Sequence, residues 1–130
     1  MLTHYEPGAR FTIYLWAEED GTCEALEYLE MLHAGGKREQ QDYQTLTRHR
    51  IKRMAASGAI YNEEQSKELE DGIYEFKAPG GARLLWFYDP KQKAAVICTH
   101  GFPKPPSNRG YRPEINKAKA IRQRHVENQS

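Results

Sequence analysis

A pair of glycines opens the stretch GGARLLWFYD (residues 80–89), and the apolar run behind it decides how the chain folds. The glycines follow a proline, which is typical of a tight turn, and the aliphatic and aromatic residues after them predict a buried strand. Arg83 stands near the start of this strand. Two explanations of its permanent charge are open: the guanidinium reaches solvent at the strand end, or it binds a phosphate.

The other segments alternate between extended and helical patterns. Strands are predicted at residues 11–17, 73–78, 82–89 and 94–100. Helices are predicted at residues 23–33, 37–56 and 113–126, and the polar residues 62–72 have room for one short helical turn. No repeat or linker interrupts this order. We therefore expect one α+β domain over residues 1–130: a strand, two helices, a three-stranded meander completing an antiparallel sheet, and a basic C-terminal helix.

The register of the first hairpin of the meander follows from side-chain alternation. Tyr74 and Phe76 share one face of their strand, and Leu84 and Trp86 share one face of the next. A turn with an odd number of residues brings these four side chains onto the same face. We expect that register, because a slip by one residue would turn polar side chains into the core.

The same register sets two cations opposite each other on the second face. Lys77 then faces Arg83, and like charges in directly opposed positions destabilise a hairpin. Glu75 lies diagonal to Arg83 and offers a structural explanation, an ion pair. A bound anion offers a functional one.

Charge is distributed unevenly along a chain whose net charge is only +1. Residues 1–78 carry nine Lys and Arg against 15 Asp and Glu, whereas residues 79–130 carry ten against three. The two halves either serve different partners or neutralise each other within one fold. The first 16 residues contain no apolar run long enough for a signal peptide or a membrane span, which predicts a cytoplasmic protein. Cys23 and Cys98 lack metal or redox spacing and are predicted to be core residues.

The basic residues of the second half fit the cleavage of RNA. The 2′-hydroxyl attacks the adjacent phosphorus, so the site must take a proton, return one and stabilise negative charge. Arg83 and Lys77 are candidates for holding the phosphate, His100 for proton transfer, and Lys104 for a second cation or acid. No acidic cluster or His/Cys spacing indicates a metal, so the predicted reaction needs neither a metal nor a cofactor.

Further cations follow the candidate site along the chain. Arg109 and Arg112 in the proline-rich loop, and Lys117 on the terminal helix, are predicted to contact the RNA backbone. The acidic residues 18–30 are expected to stay away from RNA.

Short motifs of the second half recur in a fixed order. They are Leu69 and Gly72 before a Tyr-Glu-apolar-basic strand at 74–77, a strand that begins with Arg at 83–88, His-Gly-Phe at 100–102 with Lys104, and Glu-Ile-x-x-Ala at 114–118. In this order the second half resembles the phage-related HigB/RelE-like toxin family of type II toxin–antitoxin systems. The strand and the two helices upstream agree with the family's order of elements.

The resemblance implies a RelE-like fold and an mRNA endonuclease that acts on the ribosome and is neutralised by a small cognate antitoxin. It matches Arg83 to a phosphate-contacting arginine, Lys77 to a basic strand residue, and His100 and Lys104 to basic residues at the end of the last strand. The chain departs from the family at PKPP (residues 103–106), where one lysine between prolines replaces two adjacent lysines. The alternative is therefore an RNA- or protein-binding module that keeps the fold without cleaving.

Overall fold

A computed structural model describes residues 1–58 and 62–129 of the chain. Its strands are β1 (Leu2–Glu6), β2 (Thr12–Trp16), β3 (Ser66–Glu70), β4 (Ile73–Lys77), β5 (Ala82–Tyr88) and β6 (Ala95–Pro103). Its helices are α1 (Glu24–His33), α2 (Lys37–Gln44), a π-helical segment (Thr45–Ile51), α3 (Lys52–Ser57), a 3₁₀ turn (Asn108–Gly110) and α4 (Tyr111–Asn128). The predicted α+β class is confirmed.

The second predicted helix is a continuous rod with a π-helical middle. The backbone stays in the right-handed helical region at both junctions of the π segment, so α2, the π segment and α3 follow one another without a break. Gly58 ends the rod with a φ of +90°, a conformation that glycine adopts without strain.

The six strands form one sheet in the order β1-β2-β6-β5-β4-β3. β2 runs parallel to β6, while the other neighbouring strands are antiparallel. The prediction of a wholly antiparallel sheet is therefore wrong at this one pair. The helical segments after β2 cover one face of the sheet and deliver the chain to β3 at the far edge. Three antiparallel pairings then bring it back across the sheet to β6, which lies parallel to β2.

Two strands at the edges of the sheet were not predicted. β1 pairs with β2, and β3 occupies part of the segment in which a helical turn had room. β3 has the sequence SKELE, and its polar composition suits an edge, where charged side chains discourage pairing with another chain. Its pairing with β4 overrides the weak helical pattern.

The predicted register of β4 and β5 is confirmed. Tyr74 pairs with Trp86, Phe76 with Leu84, and Lys77 with Arg83. The hairpin closes through the Ala78 N–H, which donates to the Ala82 carbonyl at 3.0 Å, so three residues lie outside the ladder. This odd number holds Arg83 on the second face of the sheet.

Both faces of the sheet are covered by helices. The first face carries Phe76, Leu84 and Trp86 and packs on α1, α2, the π segment and α3. The second face carries Ile73, Leu85 and Phe87 and packs on α4 through Ala118 and Ile121. Cys23 and Cys98 are free and buried in the first core, as predicted.

A bulge in β6 determines which face His100 shares. Leu85 pairs with His100 but Trp86 pairs with Cys98, so Thr99 is the extra residue. The bulge places His100 on the face of Leu85 and Arg83, and leaves Cys98 in the other core.

Asp42 of α2 fixes the turn between β4 and β5. Its carboxylate is buried, and its two oxygens accept the backbone N–H groups of Gly80 at 2.8 Å and Ala82 at 3.0 Å. A side chain at position 80 would collide with this carboxylate, because an added Cβ would lie 2.6 Å from its oxygens. The glycine that opens the hairpin thus permits a helix to cap it.

We predict that Asp42→Ala lowers the free energy of unfolding by about 2–4 kcal/mol, because two backbone donors lose a charged acceptor. Urea denaturation measures this change. Gln41→Ala is the matched control, since position 41 is exposed on the same helix. Equal stability of the two variants would contradict the proposed capping role.

Candidate functional site

A polar cleft of about 420 Å³ opens on the second face of the sheet, beside the start of α4. Its walls come from β3, β4, β5, the loop after β6 and the first turns of α4. The lining residues are Lys67, Leu69, Glu70, Glu75, Lys77, Arg83, Lys104, Asn108, Tyr111, Arg112 and Ile115. Three of the four predicted catalytic residues, Lys77, Arg83 and Lys104, therefore lie around one cleft.

Arg83 is a buried residue with part of its guanidinium unengaged. Its side chain does not reach solvent at a strand end, because the residue is 8% exposed. Nη1 donates to the carbonyls of Ala78 at 3.0 Å and Ala82 at 3.1 Å, and Nε donates to the Tyr111 hydroxyl at 3.2 Å. Among the described residues, Nη2 has no hydrogen-bond acceptor. Arg83 thus presents one nitrogen with two donors to the cleft.

Glu75 supplies a buried carboxylate between the two cations. Its Oε2 lies 3.8 Å from Arg83 Nε, its Oε1 lies 4.0 Å from Lys77 Nζ, and Oε2 accepts no hydrogen bond within the described chain. Burial raises the pKa of Glu75 above its usual 4.5. The effect of burial is larger than the opposing effects of Tyr111, Arg83 and Lys77, each of which lowers this pKa. The arrangement pairs a carboxyl group that holds its proton more readily than usual with nearby positive charge.

The two lysines of the cleft differ in how firmly they are held. Lys77 Nζ donates to the Glu63 carbonyl at 2.9 Å as well as approaching Glu75. Lys104 is exposed, and its side chain makes no ion pair with any described residue. Its backbone N–H donates to the Gly81 carbonyl at 2.7 Å, which fastens the loop after β6 to the β4–β5 turn.

His100 lies on the same face as Arg83 but does not line the cleft. It is 2% exposed, with Nε2 3.0 Å from Glu114 Oε1 and Nδ1 3.0 Å from Thr99 Oγ1. Burial lowers the pKa of His100, with Lys117 acting in the same direction and Glu114 opposing it. These contacts connect β6 to α4. A proton-transfer role for His100 remains a prediction.

The cations of α4 are largely neutralised by the acidic first part of the chain. The pairs are Lys117 with Glu24, Arg112 and Lys119 with Glu70, Lys119 also with Asp71, and Arg124 with Glu18. Of the three predicted RNA-binding residues, Arg112 and Lys117 are thus engaged in ion pairs, whereas Arg109 is exposed and has no ion-pair partner among the described residues. The uneven charge of the sequence is, to this extent, self-complementation.

Sequence reasoning missed the contribution of two residues of the cleft. Tyr111 accepts the Arg83 Nε hydrogen bond and lines the cleft, but its position in a proline-rich loop gave no pattern that singled it out. The sequence predicts Glu75 only as an ion-pair partner of Arg83. Its position on a buried face of the sheet could have indicated that it holds a proton more readily than usual, because burial disfavours a charged carboxylate.

We predict that Glu75→Gln raises the thermal unfolding midpoint at pH 7–8. Because the pKa of Glu75 is raised in the fold, the folded chain binds its proton more tightly than the unfolded chain, so the ionised side chain destabilises the fold as pH rises above about 4.5. Glutamine resembles the protonated form of glutamate, so the variant loses the destabilisation that the ionised side chain causes.

Thermal denaturation across pH 4–8 checks the effect, with Glu64→Gln as the control, since Glu64 is exposed. The gain should shrink toward pH 4. A lower midpoint for Glu75→Gln at neutral pH would show that Glu75 serves mainly as a counter-ion.

We predict that His100 makes the fold sensitive to acid. Its pKa is lowered below the usual 6.5, so the unfolded chain takes up the proton first as pH falls through 6.5, and the free energy of unfolding decreases by at most about 1.4 kcal/mol per pH unit. His100→Gln should flatten this part of the profile relative to the exposed-site control His49→Gln, as measured by urea denaturation at pH 5–8. Parallel profiles would contradict the assignment.

Comparison with known proteins identifies a family whose sequences resemble this chain. The family described as phage-derived protein Gp49-like (DUF891) matches residues 37–123, which is more than half of the chain and includes the whole β3–β6 region. A comparison with curated proteins gives no match.

Residues 1–58 and 62–129 contain no group of three or more His, Cys, Asp or Glu side chains arranged to hold a metal ion. Within the same ranges no helix combines the length and the apolar character needed to cross a bilayer.

The match over residues 37–123 spans α2 through most of α4 and includes all of the predicted catalytic residues. The chain belongs to the phage-derived Gp49-like family, a phage-related family associated with RelE/HigB-like toxins.

Proposed function

We propose that the protein is the toxin of a toxin–antitoxin pair, with a RelE-like fold and metal-independent endoribonuclease activity on mRNA at the ribosome. The proposal depends on one observation: a single cleft is lined by Arg83, Lys77 and Lys104, and the buried carboxyl group of Glu75 lies within 4.0 Å of the first two of these cations. Positive charge can hold a phosphodiester there, and a carboxyl group of raised pKa can exchange a proton beside it.

The reaction is an internal transfer at phosphorus. Glu75 takes the proton of the RNA 2′-hydroxyl, the 2′-oxygen forms a bond to the adjacent phosphorus, and the bond from phosphorus to the 5′-oxygen breaks. Lys104 gives a proton to that leaving oxygen. The products are a 2′,3′-cyclic phosphate and a 5′-hydroxyl. Glu75 then returns its proton to water, Lys104 regains one, and the site is restored.

Arg83 and Lys77 stabilise the charge that accumulates on the phosphate oxygens in the transition state. Arg83 acts through Nη2, because its other nitrogens already donate to Ala78, Ala82 and Tyr111. These hydrogen bonds hold the guanidinium in place before the substrate arrives, so little reorganisation accompanies the reaction. Lys77 and Arg83 oppose each other across the hairpin, and an anion bound between them would offset their repulsion.

Glu75 is a better candidate than His100 for the proton acceptor. Glu75 lines the cleft, whereas both ring nitrogens of His100 lie within hydrogen-bond distance of Thr99 and Glu114. We assign His100 to positioning: with Glu114 it holds α4 against β6, and the first turn of α4 carries Tyr111 to Arg83. The family association with RelE/HigB-like toxins supports the mRNA substrate and the antitoxin partner.

We predict that Glu75→Gln reduces cleavage of a ribosome-bound mRNA about 10²–10⁴-fold while the fold persists. Lys104→Ala should also reduce cleavage, and because Lys104 is exposed its loss leaves the core intact. Lys93→Ala, an exposed cation in the turn between β5 and β6, is the matched control. Primer extension on total mRNA after a pulse of expression measures cleavage and maps the new ends.

Expression of the wild type should arrest growth and produce discrete mRNA ends that disappear in Glu75→Gln. Unchanged cleavage in that variant would overturn the assignment of Glu75. Harmless expression of the wild type with intact mRNA would overturn the enzyme itself and favour the binding module that keeps the fold without cleaving.

A further inference from the structure

A second cleft continues from the first across the β4–β5 turn. It measures about 660 Å³, and its lining residues are Arg38, Pro79, Gly80, Gly81, Arg83, Pro103, Lys104, Pro105 and Pro106. Arg83 and Lys104 line both clefts, so the two clefts adjoin at these two cations. Arg38, from the start of α2, joins lining residues that come from the β4–β5 hairpin, the end of β6 and the loop after it.

The charge of this second cleft is of one sign. Within the part of the chain that the structure describes, its lining includes three cations from three separate segments and no acidic residue, whereas the first cleft contains Glu70 and Glu75. Arg38 and Lys104 are exposed and make no ion pair with any described residue. In this they differ from the cations of α4, several of which are paired with acids. Unpaired cations that converge on a concave surface favour an anion.

The floor of the second cleft is held rigidly. Asp42 accepts the N–H groups of Gly80 and Ala82, and the Lys104 N–H donates to the Gly81 carbonyl. The turn carries no side chain at positions 80 and 81, and an added Cβ at Gly81 would lie 3.9 Å from an Arg38 guanidinium nitrogen. Arg38 therefore reaches over the turn toward the second cleft.

We propose that the second cleft binds the phosphate next to the scissile one, so that single-stranded RNA crosses the Gly80–Gly81 turn and ends at Arg38. This subsite rests on the proposed function and extends it. Arg38 contacts the added phosphate, while Arg83 and Lys104 lie between the two phosphates. The four proline rings of the cleft offer the base only apolar contact, so the strand is held here without regard to sequence.

Binding of non-cleavable RNA tests the subsite apart from catalysis. A 2′-O-methyl tetranucleotide lacks the attacking hydroxyl and carries three phosphates, and a 2′-O-methyl dinucleotide carries one. Fluorescence anisotropy with each probe compares the wild type, Arg38→Ala and the control Lys37→Ala. Lys37 is the exposed neighbour of Arg38 but does not line the cleft.

Arg38→Ala should weaken tetranucleotide binding about 5–10-fold and make the slope of log K against log salt shallower by about 0.7, the value for one phosphate contact on a single strand. Dinucleotide binding, and both probes with Lys37→Ala, should be unchanged. If the wild type cleaves mRNA but Arg38→Ala binds the tetranucleotide as Lys37→Ala does, the subsite is wrong and the enzyme stands. If the wild type neither binds the probes nor cleaves mRNA, the subsite and the proposed function both fail.

Discussion

The pairing register of β4 and β5 determines which side chains enter each core and which charges meet across the hairpin. It sends Phe76, Leu84 and Trp86 into the core under α1–α3, and it sends Ile73, Leu85 and Phe87 into the core under α4. The same register forces Lys77 to face Arg83. Two apolar cores are thus obtained together with a pair of opposed cations, and the repulsion between these cations must be offset by something nearby.

Glu75 offsets that repulsion only in part. It lies near both cations, yet burial raises its pKa, and one of its oxygens accepts no hydrogen bond from the described residues. A carboxylate placed for stability alone would be solvated or fully hydrogen-bonded. The combination of a disfavoured carboxylate, two held cations and an open cleft is common where a site is organised for a substrate rather than for the resting fold.

The charge of the chain serves two purposes, which the structure separates by location. The acidic helix α1 and the β3–β4 turn neutralise α4, so the most basic segment of the sequence becomes a means of attaching a helix to the sheet. Cations without an ion-pair partner among the described residues remain elsewhere on the surface, and two of them, Lys104 in the loop after β6 and Arg38 at the start of α2, line the second cleft. Clusters of charge along the sequence are therefore a poor guide to which cations can bind an anion, because ion pairing across the fold decides which of them remain available.

Alternation of apolar residues predicted the elements that have a buried side, and with them the hairpin register and the placement of Arg83 and Lys77. It could not predict β3, whose SKELE sequence pairs by backbone hydrogen bonds at an edge, nor the parallel pairing of β2 with β6, which depends on long-range closure. The bulge at Thr99 determines the face of His100, and no pattern of alternating residues in the sequence predicts it. The cleft also needs Tyr111, which α4 brings from 28 residues away.

Whether Glu75 is placed to accept a proton can be measured from its protonation in the folded chain. Titration of its side-chain carboxyl carbon by NMR, with the resonance assigned from the Glu75→Gln variant, gives the pKa without reference to any substrate. We predict a midpoint above 4.5, because burial outweighs the attraction of Arg83 and Lys77. A midpoint at or below 4.5 would show that the two cations prevail, and that Glu75 is a fixed counter-ion rather than a group placed to accept a proton.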